Sequence, residues 1–110
     1  MTQLDIKSAV LNEISKHLNI ENVYVFLFGS RACGDYSSVS DYDIGICGEE
    51  PIPLSVRSMI KGDLEDNYPI PFNFDIVDFS KTTDDFNKIA LDNIEIWNKP
   101  RKALKLTLSF

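Results

Sequence analysis

The chain has one histidine, two cysteines and fewer basic than acidic residues, 11 against 17. It contains no apolar run long enough to span a bilayer. Each shortage narrows the possibilities. The lone histidine, His17, has no neighbouring constellation and reads as a surface or partly buried helix residue rather than a catalytic one. Cys33 and Cys47 come without a Cys-x-x-Cys pattern or a histidine cluster, which argues against a zinc site. The N-terminus lacks the basic and apolar regions of a signal peptide, so a cytoplasmic protein is expected and a disulfide is not. A formal net charge of -6 opposes broad, non-specific binding to nucleic acid, which needs clustered Lys and Arg. At 110 residues, there is room for one core and not for two.

What is present centres on residues 23–46. Val23 to Phe28 is an unbroken apolar run of β-branched, aromatic and aliphatic residues, suited to a strand buried on both faces. It ends at Gly29-Ser30, where a glycine permits unusual backbone angles and close approach to a ligand. Ser30 adds a hydroxyl and an N–H at a place where backbone nests attract phosphates. Ten residues later comes Asp41-Tyr-Asp43. If 41–46 is a strand, Asp41, Asp43 and Gly45 share one face, and Tyr42, Ile44 and Ile46 the other. Two carboxylates on one face are costly unless a cation lies between them, and Mg2+ suits such hard oxygen donors. In the intervening loop, Arg31 either reaches a phosphate or pairs with a carboxylate to hold the turn. Ser40 serves as loop solvation or orients Asp41.

The flanking pattern supplies the frame. Residues 4–18 have the spacing of an amphipathic helix, with Leu4, Val10 or Leu11, Ile14 and Leu18 inward and Glu13 among the polar positions. A second helix is predicted from Leu54 to Asp66, with Val56, Met59, Ile60 and Leu64 on its apolar face and Asp63, Glu65 and Asp66 solvated. Phe72 to Phe79 reads as a third strand. Asp75 sits there between apolar neighbours, where an unpaired carboxylate is expensive, whereas Asp78 at the exit is easier to solvate. Asp75 is therefore the better third ligand. A last helix is expected after Ser80, with Phe86, Ile89, Ala90, Ile94 and Trp97 inward and Pro100 as its stop. The basic and apolar tail that follows fits an edge strand, a partner-binding strand or a disordered end. The expected organisation is one domain over residues 1–97 and a tail over 98–110. The class is α/β (α+β), a small mixed sheet with helices packed on it.

Gly29-Ser30, ten residues, then Asp41-x-Asp43 resembles the spacing of the polymerase-β-like nucleotidyltransferase superfamily. The fuller form, Gly-Ser-Arg-Ala-Cys-Gly-Asp followed by Ser40-Asp-Tyr-Asp, is similar to its minimal branch, the MNT proteins. The resemblance implies a palm-type sheet, a third carboxylate at Asp75 and a two-metal Mg2+ site on Asp41, Asp43 and Asp75. It also implies phosphate contacts at Gly29 and Ser30, with Arg31 and Ser40 beside them. It implies AMP transfer from ATP to a hydroxyl of a protein acceptor, a tyrosine of a helical HEPN partner, which makes the chain an antitoxin. Two other readings stand beside it. One is a non-catalytic module that neutralises a partner by occluding it. The other is transfer onto a small molecule, which needs a pocket wall that so short a chain is ill equipped to build.

Overall fold

The apolar run at 23–28 becomes the centre of a sheet because it can bury both faces. In the computed structural model, which describes residues 3–29, 41–68, 73–80 and 94–101, β1 spans Tyr24–Phe28. It is flanked by β2, Tyr42–Cys47, and β4, Glu95–Asn98, both antiparallel to it. The edge strand β3, Phe74–Asp78, pairs parallel with β2, giving the order β3-β2-β1-β4. Two helices complete the described frame: α1, Gln3–His17, and α2, Leu54–Asn67, which links β2 to β3. The sheet is mixed and the class is the one expected.

Strict alternation divides the sheet between two apolar clusters. Val25, Leu27, Tyr42, Ile44, Ile46, Phe74, Ile76 and Trp97 meet Ile6, Ala9, Val10 and Ile14 of α1 and Ile60 and Leu64 of α2. On the opposite face Phe26, Cys47 and Phe79 form a smaller cluster, joined by Tyr24, Phe28, Val77, Ile94 and Ile96. Burial there pushes the free Cys47 thiol up to about 12, with the charge of Asp78 adding to it, so this cysteine is an inert core residue.

Several expectations needed revision. Residues 94–98, expected to end a helix, include the strand β4. Ile94 and Trp97 are three apart, which mimics a helix stripe, yet their side chains enter opposite clusters. The rest of that expected helix, 81–93, lies outside the described residues. Met59 is exposed rather than part of the inner face of α2. Glu13, expected among the polar positions between the apolar residues of α1, is fully buried. Asp78 is not left to solvent either: its carboxylate accepts from the Ile52 N–H and the Ser80 N–H, each at 2.9 Å. It thereby ties the chain after β2 to the end of β3. Asn98 donates to the carbonyls of Ile20 and Val23, fastening β4 to the entry of β1. Among the described residues, no helix is long and apolar enough to cross a membrane.

Gly45 marks the tightest packing. A Cβ there would collide with the ring of Phe26 and come within 2.9 Å of Phe79. Those two rings pack at 5.1 Å between centroids, so neither can withdraw freely. Gly45→Ala is expected to lower the urea midpoint, with a loss of about 1–3 kcal/mol typical of overpacking. An unchanged midpoint would mean that the rings can move apart.

Candidate active site

The site begins with pairing register. β2 and β3 run parallel with Asp43 opposite Asp75, Tyr42 opposite Phe74 and Ile44 opposite Ile76. The alternating burial of Phe74, Asp75 and Ile76 turns Asp75 away from the helix-covered core. Asp43 shares that outward face, and across the β1–β2 pair it stands opposite Phe28. Asp41 immediately precedes β2 and is exposed. The Tyr42 N–H donates to the Asn73 carbonyl at 3.0 Å, which pins the start of β2 against the start of β3. α2 fixes the other side of that start. Lys61 Nζ donates to the Phe74 carbonyl at 2.6 Å and to Glu65 Oε2 at 2.7 Å. Asp75 is thus held by a strand edge that α2 has tied down.

The turn after β1 closes on the same face. Gly29 has a φ of +75°, a conformation that side-chain-bearing residues rarely adopt. A Cβ on Gly29 would overlap a carboxylate oxygen of Asp43 and lie 3.1 Å from its Cγ. The glycine therefore has two reasons: its backbone angle, and the space Asp43 fills. Ser30, Arg31 and Ser40 lie outside the described residues.

Among the described residues, negative charge is concentrated here. Burial pushes the Asp43 carboxyl above its ordinary value of 3.8, and the charges of Asp75 and then Asp41 push it further. Paired strands lie about 4.8 Å apart, so like charges in register repel; solvent around the exposed Asp75 screens that repulsion, and a cation directly between the carboxylates would offset it. All three aspartates offer only hard oxygen donors, the chemistry that Mg2+ accepts. They are not gathered as closely as ligands of one ion. Among the described residues, the three-residue group whose ligand atoms lie within 4.8 Å of one another is Glu13, His17 and Asp63, on the helical side. That group is one sequence reasoning missed: it treated His17 alone and left Asp63 to solvent.

The chain is similar to known proteins. The family model described as polymerase beta, nucleotidyltransferase, matches residues 9–102. The chain is 34% identical over 90 residues to "Probable protein adenylyltransferase MntA" of Haemophilus influenzae, covering 79% of this chain and 77% of that one. Among solved structures, a toxin-antitoxin crystal structure with AMP-PNP is similar at a TM-score of 0.69 and 15% identity, covering 83% of this chain and 71% of the other. A tri-AMPylated Shewanella oneidensis HEPN toxin in complex with MNT antitoxin is similar at 0.66 and 15%, covering 88% and 71%. At that identity the structures establish shared fold.

Two outcomes test the geometry. Asp43 has a folded pKa above its unfolded one, so its contribution to stability is full below the unfolded value and lost as pH rises through the folded one. In chelator at pH 7, Asp43→Asn is therefore expected to raise the urea midpoint, by on the order of 1 kcal/mol after solvent screening, and to lose that advantage near pH 3. Equal midpoints at pH 7 would refute the stored repulsion. Gly29→Ala is expected to be less stable by roughly 1–2 kcal/mol from backbone strain alone, as measured by denaturant unfolding.

Proposed function

This chain belongs to the polymerase beta nucleotidyltransferase family, and we propose that it transfers AMP from ATP to a tyrosine hydroxyl of a helical HEPN-type toxin, acting as its antitoxin. The observation that carries the reading is the in-register pair Asp43–Asp75 facing the positive-φ turn at Gly29. The identity to a protein named as an adenylyltransferase supports the reaction class. The fold shared with an MNT antitoxin, seen beside a toxin that carries three AMP groups, supports the acceptor. A separate protein holding the acceptor would supply one wall of the acceptor site.

In the reaction, the acceptor oxygen attacks the α-phosphorus of ATP. The bond from that phosphorus to the bridging oxygen breaks, and pyrophosphate leaves. Asp41, Asp43 and Asp75 would hold Mg2+ in a two-metal site, which when bound offsets the triphosphate charge and acidifies the acceptor hydroxyl. Asp75, exposed near the start of β3, takes the hydroxyl proton. Gly29 brings its backbone close to the outer phosphates, and Ser30 donates to them through its hydroxyl and N–H. Arg31 and Ser40 complete this reading, the first at phosphate and the second orienting Asp41. Phe28, opposite Asp43, backs the carboxylate with apolar surface and limits its hydration.

The test uses a helical partner encoded beside this chain, purified alone, then mixed with the protein, Mg2+ and ATP. Intact masses of both chains are recorded. The expected result is a gain of whole AMP units on the partner's tyrosine, absent with Asp43→Asn while the complex still forms. A tight complex with no mass gain would replace catalysis by occlusion and make the nucleotide site a relic.

A further inference from the structure

The residues left over from the reaction gather on the opposite side of the sheet, where α1 meets α2. Glu13 and His17 are four apart on one face of α1. Asp63 comes from α2. One ligand atom from each lies within 4.8 Å of the other two. His17 Nε2 and Asp63 Oδ2 are 3.4 Å apart, long for a hydrogen bond between them. It is the separation expected of two tetrahedral ligands each about 2.1 Å from a common ion.

Glu13 supplies the second, independent observation. It is 0% exposed, the one charged residue in the buried set among the described residues. Its Oε1 accepts from Lys16 Nζ at 2.8 Å and from the Tyr68 hydroxyl at 2.9 Å. Its Oε2 is buried with no hydrogen-bond partner. A buried carboxylate oxygen left bare is rare in folded proteins and calls for a partner such as an ion. Lys16 does not fill the site, since it is spent on Oε1 and its side chain is half exposed.

We propose that Glu13, His17 and Asp63 form a binding site for a divalent transition-metal ion of the Zn2+ type, which clamps α1 to α2. An imidazole nitrogen with two carboxylates favours such an ion over Mg2+, whose preference is for oxygen. Three protein ligands leave a fourth position for water. The site lies across the sheet from Asp43 and Asp75 and has no part in the transfer chemistry.

The experiment is a titration of chelator-treated full-length protein with Zn2+ and, separately, Co2+, followed by calorimetry and visible absorption. An Asp43→Asn, Cys33→Ser background removes two competing ligands. One ion is expected to bind per chain, with a Co2+ spectrum of low coordination number and a Tm that climbs with metal concentration. His17→Gln is expected to weaken binding at least about tenfold, since even outer-shell changes cost that much. Asp63→Asn serves as the second variant, because Glu13 is buried and its replacement risks the fold. Equal affinity in His17→Gln, or no one-to-one binding in the background protein, would overturn the site. So would a Tm lowered equally by His17→Gln with and without metal, which a plain His–Asp ion pair predicts.

Discussion

The parallel register of β2 with β3 is the constraint on which the rest of the molecule depends. It sets two carboxylates side by side on one face while keeping Ile44 and Ile76 side by side on the other. A shift of one residue would put Asp75 into the core and expose its apolar neighbours. Parallel strands need a crossover, and α2 supplies it, burying Ile60 and Leu64 on the covered face. The same helix sends Lys61 and Glu65 to the start of β3, so packing and register are fixed by one element. The hydrophobic effect thereby stabilises an arrangement that electrostatics alone opposes.

Glycine makes the two sides of this compromise fit. At Gly29 the absent side chain leaves room for the Asp43 carboxylate, and at Gly45 it leaves room for Phe26 and Phe79. Both positions are on the outward face, two strands wide, where charge and aromatic rings adjoin. Phe28 and Phe79 meet edge-to-face at 5.2 Å between ring centroids, extending the apolar surface toward the aspartates. That surface limits hydration of Asp43 and raises its proton affinity, which is also what makes a bound cation worth more there.

The legible parts of the sequence were those with a strong local period. Val23 to Phe28, the alternation at 41–46, and Asp75 between apolar residues each dictated a strand and its faces. The turn at Gly29 was readable because no other residue takes its backbone angle cheaply. The strand at 95–98 was not, because Ile94 and Trp97 carry helical spacing over too short a span to decide. What settles it is tertiary: β1 has two edges, and β2 can cover only one. Glu13 and Asp63 were hidden for a related reason. A carboxylate on an amphipathic helix reads as solvated until the partner helix arrives, and 50 residues separate these two. Asp78 looked like a strand-end charge for solvent, yet two backbone N–H groups claim it.

The two carboxylate groupings solve different problems with similar atoms. On the helical side Glu13 sits in the core with Lys16 and Tyr68 satisfying one oxygen, so part of its charge is compensated by the protein itself. On the outward face the cause runs the other way: the charges of Asp75 and Asp41 add to the burial of Asp43. Among the described residues, the charged groups that act on Asp43 are Asp75 and Asp41, whereas Glu13 has Lys16 and Asp78 has two backbone N–H groups. Those like charges raise the proton affinity of Asp43, and a bound cation would offset them. The free energy that the fold withholds from Asp43 is therefore available to binding, and the register of β2 and β3 is what keeps it from relaxing.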